Sequence, residues 1–84
     1  MIYLKLKGSY KSNEGFLYAL DEKQEVSFLT LCVTNIDLKC SIDSAIFSKG
    51  FFSLTEKISK AEFLQAHEIA QKRLENLLNN ILLE

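Results

Sequence analysis

Between Ser59 and Leu83 the chain carries one uninterrupted helical pattern, and the rest of the sequence has to supply a surface for its apolar side. Ser59-Lys60-Ala61-Glu62 reads as a capping box, in which the serine hydroxyl accepts from the amide of Glu62 and the glutamate reaches back to the serine amide. A helix is therefore predicted from Lys60. At 100° per residue, Phe63, Ala66, His67, Ala70, Leu74, Leu77, Leu78 and Ile81 fall in one stripe flanked by Leu64 and Leu82. The opposite side, with Gln65, Glu68, Gln71, Lys72, Glu75 and Asn79, mixes charges of both signs and reads as a solvated face.

A helix greasy along one side needs a second layer, and the first 58 residues read as strands. Ile2, Leu4 and Leu6 alternate with Tyr3, Lys5 and Lys7 as in a half-buried strand. The turn-rich segment Gly8 to Gly15 leads to a second strand, Phe16 to Leu20, and the charged tip Asp21 to Gln24 to a third, from Glu25 to about Val33. On that third strand Val26, Phe28 and Cys32 take one face and Leu29, Leu31 and Val33 the other, which predicts burial on both sides. After a bend near Thr34 and Asn35, Ile36, Leu38, Cys40 and Ile42 alternate with polar residues in a fourth strand. Asp43 or Ser44 is placed to cap one helical turn over Ala45 to Phe47 ending near Gly50, and Phe52 to Ile58 reads as a fifth, edge strand.

The expected class is thus α+β: an antiparallel sheet of about four to five strands over 1–58, packed by one long C-terminal amphipathic helix over 60–83. The 84 residues suit a single domain, 1–84, and an apolar content of 48% is enough to fold it. With no proline and three isolated glycines, linkers, Pro-rich ligand motifs and Gly-rich phosphate loops are all missing. No apolar run is long enough to cross a bilayer, and Lys72 and Arg73 alone do not make the basic face a membrane-surface helix needs, so no membrane partner is expected. Met1 leads directly into a strand pattern without the features of a signal peptide, and the expected compartment is the cytoplasm. Cys32 and Cys40 fit neither a zinc nor a redox spacing, and read as free buried thiols; a bridge across a hairpin is the alternative.

Catalytic chemistry has little to work with. His67, the single histidine, lies on the apolar stripe, and Glu68 beside it points about 100° away on the helix. One histidine with two distant cysteines does not make a metal set, so no metal, no cofactor and no enzymatic activity are expected.

Two surfaces remain as candidates. An unbroken helix to Leu83 is about 36 Å long, more than the roughly 25–30 Å breadth of a domain this size. Leu77, Leu78, Ile81, Leu82 and Leu83 crowd the overhang, and are expected to pack on a protein partner, most simply a second copy; the alternative is a helix ending at Asn79 or Asn80 with its tail folded on its own sheet. The leading functional expectation is a non-catalytic protein–protein interaction module of binder, adaptor or inhibitor type, with the lysine-, asparagine- and isoleucine-rich composition of small bacterial or phage proteins. The second candidate is a single-stranded nucleic-acid surface built from Tyr3, Lys5, Lys7, Tyr10 and Lys11, since aromatic stacking interleaved with basic residues suits an unpaired strand. A net charge of −1 ranks nucleic acid below protein as a partner.

Overall fold

The computed structural model describes residues 1–21, 27–37 and 39–84, with the backbone alone at 27 and 28. The expected charged tip at 22–24 and the side-chain assignments of Val26, Phe28 and Leu38 lie outside the described parts. Five strands form one antiparallel sheet packed against a single C-terminal helix, an α+β arrangement. In chain order they are β1 (Ile2–Leu6), β2 (Gly15–Leu20), β3 (Ser27–Ile36), β4 (Lys39–Ser48) and β5 (Thr55–Lys57), followed by α1 (Lys60–Leu83). Across the sheet the order is β4-β3-β2-β1-β5, so β3 is an interior strand and β4 and β5 are the edges.

Cross-strand partners point to the same side of a pleated sheet, so the register sorts the side chains into two faces. One row runs Lys5, Leu17, Val33, Ile42 and a neighbouring row Tyr3, Ala19, Leu31, Ser44; both lie on the face that α1 covers. There Leu17, Ala19 and Val33 meet Phe63, Ala66 and Ala70, with Tyr3, Cys40, Ile42 and Ile58 around them. The alanines at 66 and 70 let the helix backbone approach closely, and Leu17 and Val33, fully buried, contribute roughly 1.5–3 kcal/mol each in apolar transfer. The opposite face gathers Leu4, Leu20 and Phe47, with Ile2, Tyr18 and Phe52 packed against them.

Several local expectations are corrected. The bend does not fall at Thr34 and Asn35; β3 continues to Ile36, which pairs with Lys39, and the reversal sits at Asp37 in the left-handed region (φ 45°) that Asp tolerates and short hairpins require. No helical turn forms over Ala45 to Phe47. β4 runs through them to Ser48, because Phe47 is anchored on the far face against Tyr18, ring centroids 5.2 Å apart. The fifth strand is shorter than expected, since Lys49–Leu54 makes a 3-10 turn that lays Phe51 and Phe52 on Phe47 at 5.9 and 5.3 Å. The ring contacts with Phe47 outweigh the strand-like alternation of the segment. β5 keeps three residues, paired with β1 from Leu4↔Lys57 to Leu6↔Thr55.

Gly15 is the one position where the backbone demands glycine. Its φ is 121°, and a Cβ there would come within 3.1 Å of the Tyr10 ring and 3.3 Å of the Lys5 chain. That close approach lets the Gly8–Gly15 connection fold down over Lys5.

A candidate interaction surface on the helix tail

α1 starts as its sequence requires, with Ser59 Oγ accepting from the Glu62 amide at 3.0 Å. Phe63 stacks obliquely on Tyr3 of β1, centroids 5.4 Å apart, and the helix then crosses the sheet towards β4. Its burial ends at Ala70. The expectation that the rest of the chain supplies a surface for the helix's apolar side holds only in part and is corrected for Leu74: the first three turns are core, whereas every residue from Gln71 to Glu84 is exposed. Leu77 is 57% exposed, Ile81 65% and Leu82 71%. Leu78 and Leu83 are likewise open. The sheet is too narrow for the helix, and the molecule measures 47 × 24 × 19 Å. The helix neither stops at Asn79 or Asn80 nor folds its tail back on its own sheet.

A polar tether marks where core gives way to tail. Arg73 Nη1 donates to Asn35 Oδ1 at 2.8 Å, and Asn35 Nδ2 donates to the Asn13 carbonyl at 2.9 Å. Asn35, buried on β3, thus ties helix, sheet and the first connection together. Past it, a groove of about 250 Å³ opens between the tail and the β3–β4 turn, lined by Asp37, Cys40, Arg73, Asn76, Leu77 and Asn80. Leu77, Leu78, Ile81, Leu82 and Leu83 are in this way brought together as one apolar projection, held at its root and free beyond it.

The Tyr/Lys set of the N-terminal strand is not brought together. Tyr3 and Lys5 face the helix: Tyr3 is half-buried on Phe63, and Lys5 is 6% exposed. Lys5 Nζ is engaged in donating to the carbonyls of Lys11 at 2.7 Å and Ser12 at 3.3 Å. Lys7, exposed, donates to the Ser53 carbonyl at 3.2 Å, and Tyr10 turns its ring onto Phe16, centroids 6.2 Å apart at 80°. Lys11 is exposed by itself. The pattern of the strand was legible, but the open face it implied belongs to α1.

Cys32 and Cys40 are free and half-buried, and they lie on opposite faces of the sheet, so the hairpin bridge is geometrically closed to them. Burial, and then the Asp43 carboxylate across the strand, push the Cys32 thiol up; burial, and then Cys32, push the Tyr18 hydroxyl up. A thiol held protonated is the reverse of an activated nucleophile. His67 is half-buried on α1. Among the described residues no group of three or more His, Cys, Asp or Glu lies close enough to hold a metal ion, and no helix is long and apolar enough to cross a membrane.

Two features were not foreseen in the sequence. One is the Arg73–Asn35–Asn13 tether, which pairs residues 38 positions apart and has no local signature. The other is a second open apolar patch on the helix-covered face, at the far end of the β3–β4 hairpin, where Ile46 is 74% and its cross-strand neighbour Leu29 66% exposed. The alternation of Cys40 and Ile42 with Ser41 and Asp43 breaks at Ser44, so no local signal extends the strand to Ile46. Set against protein-family models, curated proteins and solved structures, the chain matches none of them, so its surfaces have to be read from their own geometry.

Proposed function

We propose that this protein is a non-catalytic protein–protein interaction module of binder, adaptor or inhibitor type, whose contact surface is the exposed C-terminal half of α1. The observation that carries the reading is the single helix with two fates: core through Ala70, then more than three further turns bearing Leu74, Leu77, Leu78, Ile81, Leu82 and Leu83 in solvent. Clustered large apolar side chains of this extent on an isolated chain are the usual mark of a contact surface. Arg73, tied to Asn35, fixes the direction in which the tail leaves the sheet, so that the surface is presented in one orientation. Two thiols left unpaired suit a reducing compartment, and we place the protein in the cytoplasm. A catalytic reading draws no comparable support from a Cys32 thiol pushed up by burial or from a histidine on the packed helix.

The test is affinity capture from cells that express the protein, with wild type and a Leu77→Glu/Ile81→Glu variant as paired baits, followed by reconstitution with purified components. The reading expects a protein, a second copy included, held by wild type and released by the variant, while circular dichroism shows the variant folded. A partner held equally by both baits overturns it.

A further inference from the structure

We propose that the surface of α1 is completed by a second copy of this chain, in a two-fold dimer that pairs β4 with β4 and lays each helix tail on the other copy's Leu29, Leu31 and Ile46. The inference rests on the interaction-module reading and names its partner.

Three observations lead to it. The first is the edge itself. Edge strands are ordinarily blunted by brevity, charge or proline, and β5, three residues with Glu56 and Lys57, follows that rule. β4 is far less guarded: it is ten residues long, without proline, and its charged residues are Lys39, at the turn end, and Asp43, with none from Ser44 to Ser48. Because Ile36 and Lys39 close the hairpin as a hydrogen-bonded pair, the backbone groups of Cys40, Ile42, Ser44 and Ile46 point outward from the sheet.

The second observation is where the helix goes. It crosses from Tyr3 on β1 to the neighbourhood of Cys40 on β4, and Leu78, Ile81 and Leu82 therefore continue past that same edge. The third is the patch it leaves bare. Ile46, Leu29 and Leu31 lie on the same face as the helix, but at the opposite end of the hairpin from Cys40.

A two-fold axis normal to the sheet near Ile42 relates these features to one another. Antiparallel pairing of two β4 strands keeps the helix-bearing faces on one side and reverses the strand direction. With Ile42 opposite its own image, Cys40 stands opposite the second copy's Ser44, and the second copy's Ile46 lies one pair further on, about 7 Å away and in the path of the tail. Centring the axis on Asp43 would set two carboxylates face to face, which is unfavourable; the Ile42 register puts Asp43 opposite Ser41 instead. Leu77, Leu78, Ile81 and Leu82 of the tail and Leu29, Leu31 and Ile46 of the patch give each copy seven large apolar side chains that are 39–74% exposed, the kind of surface that an interface of standard size, about 800 Å² per partner, buries. The contact is self-complementary, as a closed dimer requires.

The register makes the test specific. Under oxidised glutathione, a Ser44→Cys variant is expected to form a reducible covalent dimer whose bridge joins the introduced thiol to the second copy's Cys40, as mapped by peptide mass spectrometry. Within one copy that thiol lies four residues from Cys40 along a strand, roughly 13 Å, and cannot reach it. Sedimentation of the full chain should show a wild-type dimer. Ser44→Pro, Ile46→Lys and Ile81→Lys should each weaken it at least tenfold with circular dichroism unchanged, while Ser44→Ala keeps it. A monomer at every concentration, with no cross-link, overturns the inference. So does a dimer that survives Ser44→Pro and yields no cross-link but is lost in Ile81→Lys; that pattern means helix tails associating by themselves and leaves the interaction-module reading standing.

Discussion

Replacing Phe63 by alanine should remove most of what holds the helix to the sheet. The ring is buried, stacks on Tyr3 at 5.4 Å, and shares its cluster with Leu17, Ala19, Val33, Ala66 and Ala70. Its neighbours are small or strand-borne, so they cannot close over the hole, and Phe→Ala at such a site costs about 3–5 kcal/mol. A chain of 84 residues has on the order of 4–13 kcal/mol in total. The loss is thus about a quarter of the stability at least, and close to all of it at the low end. Leu82→Ala, at 71% exposure, should stay within about 0.5 kcal/mol of its parent. Both belong on an Ile81→Lys background, so that association does not enter the comparison. Urea unfolding followed at 222 nm is the assay; with a slope of about 1–2 kcal/mol per molar, the midpoint should fall by about 1.5 M or more for Phe63→Ala and barely move for Leu82→Ala. Equal losses at the two positions would refute the division of the helix into core and tail.

Two further outcomes follow from the polar groups. A double-mutant cycle on Asn35→Ala and Arg73→Ala should return a coupling of about 1 kcal/mol or more, because the bond is charge-assisted and one partner is buried; additivity within error would dissolve the tether. Stability should also fall in alkali. The Cys32 thiol is pushed up in the folded chain, so from about pH 8.5 the unfolded chain releases that proton first and unfolding becomes easier as pH rises. Tyr18 repeats the effect above about pH 10. Cys32→Ala should flatten the first part of the decline in thermal midpoint between pH 7.5 and 9.5, and an unchanged slope would contradict the assignment.

Local pattern reached as far as local physics decides the outcome. The capping box placed the start of α1 at Lys60, and alternation placed β1 and β2, because a half-buried strand and an amphipathic helix each write their periods into the chain. It failed where distant contacts chose between two acceptable local states. Ala45 to Phe47 suits a short helical turn behind Asp43 or Ser44, and only the seat of Phe47 on Tyr18 and the two following rings keeps it extended. Alternation tells which residues share a side with Tyr3 and Lys5 but not which side the helix takes. Here α1 takes the side of Tyr3, and the alternate Ile2, Leu4 and Leu6 turn instead to Phe47 and its neighbours. The tail was legible for a simpler reason. Helix length and domain breadth both follow from residue number, and their mismatch announces an overhang before any coordinates exist. The bare patch at Leu29 and Ile46 was not, since it depends on how far β4 extends.

Hydrogen exchange resolved along α1 at two protein concentrations bears most directly on a helix that is half core and half contact surface. Amides from Phe63 to Ala70 should exchange as slowly as those of β2 and β3 at either concentration, whereas amides from Leu77 to Leu83 should exchange fast when dilute and slow markedly when concentrated. Uniform protection along the whole helix, indifferent to concentration, would mean that the tail already rests on its own sheet and has no surface to offer.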